Sequence, residues 1–149
     1  MTNERRLQIG LAIMRISIAL FFLVWSMEKL VVPENTREIF ETFYSLQVPV
    51  VLSYTIGAVQ TLAILTFLAG LFKTLSYGLP LIMHTVSVLS SYQQLLNPYE
   101  PPNHLFWAGV PVLGALIALF LLRDSDQLLT VKTLRNWRTA ESKGGGART

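Results

Sequence analysis

The sequence predicts an all-α integral membrane protein: a four-helix bundle with a short interfacial helix between spans one and two and an amphipathic C-terminal segment. Three observations predict it. Four long apolar runs take up more than half of the 149 residues. Only 14% of the residues are charged, against 52% hydrophobic, whereas a soluble domain carries about 25% charged residues to cover its surface. The basic residues also collect on one side of the hairpins that the runs imply. A mean hydropathy of +0.47 agrees. The absence of cysteine excludes a disulfide scaffold, a thiol nucleophile and any thiolate metal or iron–sulfur site.

Span one is Ile9–Met27, with Arg15 its single charge. Arg5 and Arg6 precede it as they would a signal peptide. Its apolar core exceeds the usual 7–15 residues, however, and it ends in Met27-Glu28-Lys29 rather than a small-residue cleavage site, so it reads as a retained helix. Spans two, three and four are Val50–Phe72, Leu75–Leu96 and Leu105–Leu122, all without Asp, Glu, Lys or Arg. At about 1.5 Å rise per residue each reaches, or nearly reaches, across a hydrocarbon core of ~30 Å. Backbone groups in lipid find no water, so such runs must be helical. A soluble all-α protein would need an amphipathic shell that this chain does not have left to supply.

Residues 1–123 thus form the bundle, and residues 124–149 a cytoplasmic amphipathic helix and flexible tail. With four spans, the N-terminus, the Phe72-Lys73-Thr74 turn and the C-terminal segment share a side. That side holds nine of the twelve cations, while Glu28, Glu34, Glu38, Glu41 and Glu100 fall on the other. The positive-inside rule places both termini in the cytoplasm.

In the first connection, Asn35 with Glu38 three residues on predicts a capping box, followed by Ile39, Phe43 and Leu46 at helical spacing. An interfacial aromatic belt accounts for Phe40 and Tyr44. Three prolines stiffen the Asn97–His104 connection. After span four, Ser125 or Asp126 is placed to cap a helix running to about Trp137, with Leu128, Val131, Leu134 and Trp137 as its apolar stripe and Lys132, Arg135 and Arg138 as its cations. Such a helix suits anionic headgroups or a partner. Lys143–Thr149 reads as unstructured.

Polar residues at membrane depth are costly and point to sites. Arg15, His84 and Gln60 lie about 9, 14 and 18 Å from the cytoplasmic end. Together they could hold a quinone carbonyl, an anion or a lipid headgroup. The simpler reading, which the sequence favours, has Arg15 snorkelling to the headgroups while His84 and Gln60 tie helices together. Glu28 and Lys29 are candidate interface residues at the outer end of span one. Ser87 with Ser91, and Gly114 with Ala118, are small-xxx-small pairs that permit close helix approach, and Trp137 is a further interface candidate. Pro80 and Pro111 are expected to kink their helices. Haem ligation lacks a second histidine at the depth of His84, and Glu100 with His104 supplies too few ligands for a metal. No catalytic residue and no covalently bound cofactor is predicted. A quinone or a lipid is the ligand the polar cluster would take, and the expected partners are the lipid bilayer and other membrane subunits, not nucleic acid.

From about Leu11 to Val131 the chain resembles the DoxX-like family of small four-helix bacterial inner-membrane proteins. The resemblance rests on Arg15 early in span one with Lys29 closing it, on Gly70-Leu71-Phe72-Lys73 at the tight turn, and on Leu121-Leu122-Arg123-Asp124 after span four. The chain departs from the family pattern at Trp25-Ser26-Met27-Glu28, where a glycine is expected before the lysine, and at Gln60, near where many relatives carry a glutamate. The family implies a compact bundle linked to redox and sulfur metabolism, in some cases as a membrane subunit of thiosulfate:quinone oxidoreductase. The function expected is a non-catalytic accessory subunit of a quinone-linked or other larger membrane complex. A quinone-binding oxidoreductase subunit using Arg15, Gln60 and His84, and a small-solute permease, are the rivals.

Overall fold

The computed structural model describes residues 1–133 and 136, and among them every regular element is helical. Helix α1 spans Asn3–Val31. Thr2 caps it, its hydroxyl accepting the Arg5 N–H at 3.3 Å. It stops because Pro33 disfavours helical backbone at Val32, which sits at φ −130°. The same proline opens α2, Pro33–Tyr44, as its first residue.

This corrects the expected capping box. Asn35 lies inside α2, no side chain caps that helix, and the Asn35 amide donates instead to Glu28 Oε1 at 2.7 Å. Proline at the first position supplies the helical φ that a cap would otherwise have to select. Helix α2 ends at Ser45 in the left-handed region, and α3, Val50–Leu68, begins after Pro49.

The α3–α4 turn is a Schellman motif. Gly70, at φ +65°, donates to Phe67 O at 2.9 Å, and Leu71 donates to Thr66 O at 3.2 Å. Helix α4 then runs Lys73–Ser90, straight on from Phe72. The apolar run expected to continue to Leu96 breaks at Ser91, whose N–H is shared between Ser87 O and Val88 O, and resumes as the short α5, Tyr92–Leu96. A 3-10 stretch, Asn103–Ala108, leads directly into α6, Gly109–Leu121.

Pro111 sits in the first turn of α6, so it produces no mid-helix kink. Its missing N–H and its ring forbid an α-helical bond back to Trp107, and the tighter 3-10 winding ends just there. Pro80 is buried inside α4, which continues through it.

Side-chain contacts fix the packing as antiparallel. Ser53 bonds Lys29 O at 2.9 Å and Thr61 bonds Ser26 Oγ at 3.1 Å, joining the end of α1 to the first two-thirds of α3. Gly57 makes that approach feasible: a Cβ there would lie 2.8 Å from Leu30 Cδ2. His84 meets Gly109 and Arg123 meets Thr74, which orients α4 against α6. The principal helices therefore form a ring in the order α1, α3, α4, α6, with α6 returning to α1. Inside it lie Leu11, Ile18, Ala19 and Phe22 from α1, Ile64 and Phe67 from α3, Tyr77 from α4, and Leu116 and Leu119 from α6.

Among the described residues, three helical stretches are long and apolar enough to cross a membrane: α1, α3 and Asn103–Leu121. The fourth expected crossing is not among them. Helix α4 is long enough at 18 residues but is diluted by Lys73, Ser76, Tyr77, Pro80, His84, Thr85, Ser87 and Ser90. The apolar helices bury little of themselves within the chain, 33% of the most apolar stretch of α1 and 11% of that in the last. Leu20, Val24, Val51, Val59, Leu62, Leu65, Ile117 and Leu121 face outward. An exterior of this kind suits a lipid environment and a multi-pass membrane protein.

Candidate functional site

Residues 122–133, after α6, lie across the end of the bundle that holds the N-terminus, the α3–α4 turn and Gln8. The segment is held like a strap. The Gln8 carboxamide oxygen accepts the N–H groups of Gln127 at 2.9 Å and Leu128 at 3.0 Å, while its amide nitrogen donates to Ser125 O. The Val131 N–H donates to Ala69 O at 3.0 Å, and Lys73 Nζ donates to Asp126 O. Thr130 packs where Gly70 has no side chain: a Cβ on Gly70 would lie 2.6 Å from Thr130 Cγ2.

Under the strap is a buried charge cluster. Arg15 Nη1 lies 2.8 Å from Asp126 Oδ2, with both side chains 0% exposed. The Tyr77 hydroxyl donates to the same carboxylate oxygen at 2.6 Å and accepts from Arg15 Nη1 at 3.4 Å. Arg15 Nη2 donates to the carbonyls of Leu128 at 2.7 Å and Leu129 at 3.3 Å. Leu129 adopts φ +56°, which turns the strap over the guanidinium. Charged hydrogen bonds of this kind are strong, and a buried guanidinium needs several of them to offset its lost hydration.

Arg15 therefore does not snorkel. A carboxylate arrives from residue 126, outside the apolar runs, so the side chain is neutralised where it stands. Nor is Asp126 a helix cap. The turn of helix that begins at Val131 takes Thr130 as its cap, with Thr133 N–H to Thr130 Oγ1 at 3.4 Å. Leu134, Arg135, Trp137 and the residues after it, including the expected interface residue Trp137 and the tail, lie outside the described residues.

No hydrogen bond or ion pair links Arg15, Gln60 and His84 to one another. His84 is buried and its Nε2 lies 2.8 Å from Gly109 O, with the rings of Phe21 and Phe22 edge-on at 6.1 and 5.6 Å. Gln60 is half-buried on α3 and its side chain makes no hydrogen bond among the described residues. Tyr77, seven residues before His84 and so about 10 Å away along α4, stands where His84 was expected, beside Arg15.

The interface candidates divide similarly. Glu28 holds Asn35, and Lys29 Nζ donates to Trp25 O at 3.1 Å. Ser91 is buried and bonds Ser87 O at 3.0 Å, whereas Ser87 and Gly114 are exposed and Ala118 is half-buried. At the far end Ser53 joins Thr36 at 2.8 Å, pinning α2 to α3. Among the described residues no three His, Asp or Glu side chains converge as metal ligands.

The sequence reading missed Asp126, Tyr77, Lys73 and Gln8. The available signal was the arginine itself, since a guanidinium within an apolar run demands a counter-charge, and Asp124 and Asp126 are the acids just beyond span four. Set against known protein families, curated proteins and solved structures, the chain matches none.

Proposed function

We propose that this chain is a DoxX-like multi-pass protein of the bacterial inner membrane, with four crossings and both termini cytoplasmic, and that it serves as an accessory subunit of a larger, quinone-linked membrane complex. The observation that carries the accessory role is the internal use of the bundle's deepest charge. Arg15 is fully enclosed against Asp126 and Tyr77, so it builds the fold instead of meeting a substrate. The outward faces of α1, α3 and α6 are apolar and suit lipid or neighbouring spans. The fourth crossing is α4, whose polar residues Tyr77 and His84 turn into the chain rather than toward lipid. The redox link rests on the family resemblance, carried by Arg15, the Gly70–Lys73 turn and Arg123-Asp124.

Extraction of the tagged chain in a mild detergent tests this role. Membrane-protein partners should co-purify in fixed proportion. Recovery solely as a lone monomer would overturn the accessory role, and solubility without detergent would overturn the membrane assignment.

A further inference from the structure

An open groove of about 770 Å³ lies between the first turns of α1 and the strap. Leu7, Ile9 and Leu128 supply its apolar walls, and Arg5 stands in its lining one turn before Ile9. Gln8 and Ser125, both in its lining, bond to each other, so the groove is made by the strap's docking. Arg5 is exposed, and its guanidinium has no partner among the described residues.

The surrounding charge selects an anion. At this end Arg5, Arg6, Lys73, Arg123 and Lys132 outnumber Glu4 and Asp124, with Arg15 and Asp126 cancelling each other. At the opposite end Glu28, Glu34, Glu38, Glu41 and Glu100 outnumber Lys29 and Arg37. Glu4 also borders the groove and Arg6 does not, so the lining holds one acid and one base and the excess of cations is that of this whole end. The spacing suits an amphiphile: Arg5 and Ile9 are about 6 Å apart along the helix, with the cation outside the apolar run and the isoleucine at its start. The chain's own tail is an unsuitable occupant, because Arg135, Arg138, Lys143 and Arg148 face a single acid, Glu141.

We propose that this groove binds an anionic glycerophospholipid, its phosphate at Arg5 and an acyl chain along Leu7, Ile9 and Leu128. The proposal rests on the membrane reading of α1 but not on any partner complex. Its test is native mass spectrometry of the full-length chain in detergent, titrated with short-chain phosphatidylglycerol or phosphatidylcholine.

Phosphatidylglycerol should bind at least about fivefold more tightly, the effect of one cation at a membrane surface. Arg5→Gln should abolish that preference, and Arg37→Gln at the opposite end should leave it intact. Leu7→Asn, on an exposed wall position, should weaken both lipids. Equal binding of the two lipids by the unaltered chain, an unchanged preference in Arg5→Gln, or displacement of the lipid by inorganic phosphate alone would each overturn the proposal. A chain that stays soluble without detergent would instead overturn the membrane reading, so the two failures are distinct.

Discussion

Asp126 decides whether Arg15 can exist inside the bundle. The guanidinium is 0% exposed, and among the described residues its one ionic partner is that carboxylate. Removing the partner leaves a buried charge uncompensated, which costs about 3–5 kcal/mol, whereas replacing both partners with apolar residues of similar size is often neutral or better. Asp126→Ala should therefore lower the thermal unfolding midpoint in detergent sharply, and Arg15→Met combined with Asp126→Leu should recover most of the loss. A double variant as unstable as the single one would show that the pair does not act as a unit. Tyr77→Phe removes the short hydrogen bond to Asp126 at 2.6 Å and the long one from Arg15 at 3.4 Å while leaving the ion pair in place, and should cost less, about 1.5–3 kcal/mol. The arginine's depth was legible in the sequence. Its partner was not, because Asp126 lies 111 residues away and stands where a helix cap also makes local sense.

Elements were legible where local chemistry sets them and illegible where tertiary contacts do. The long apolar runs and the helix within the first connection follow from periodicity and composition. The boundary at Pro33 went to the proline rather than to Asn35, and the break at Ser91 carries no signal in a run free of charge. The turn at Gly70 is the clearest case of local and tertiary demands coinciding. Its positive φ closes α3, and its lack of a side chain admits Thr130 of the strap. Gly70→Ala should therefore destabilise twice, once through the left-handed backbone at about 1–2 kcal/mol and again through the contact with Thr130 Cγ2. Adding Thr130→Ser removes the offending methyl while keeping the hydroxyl that caps the following turn. The double variant should unfold at a higher temperature than Gly70→Ala alone. If it does not, the strap is not seated against that turn.

At the scale of the whole molecule, the antiparallel ring has a consequence that chemical labelling can read. Helix α2 and the connection after α5 occupy one end, joined by Tyr44 to Ser90 at 3.2 Å and by the Phe43–Phe106 ring contact at 6.2 Å. The N-terminus and the strap occupy the other end. The sequence alone predicts this grouping from its basic and acidic residues, since a charge imbalance of this kind sets orientation. It does not reveal that Ser76 and Tyr77 of α4 turn inward and are buried. The chain has no cysteine, so single introduced thiols report position without background. Glu38→Cys and Glu100→Cys should react with a membrane-impermeant maleimide from one side of sealed vesicles, and Thr2→Cys and Lys132→Cys from the other. Reaction of Glu38→Cys and Glu100→Cys from opposite sides would mean that α3 and α4 do not both cross. The hydrocarbon would then have to accommodate Tyr77, His84 and the strap in some other arrangement, which their shared contacts with α1 and α6 make physically expensive.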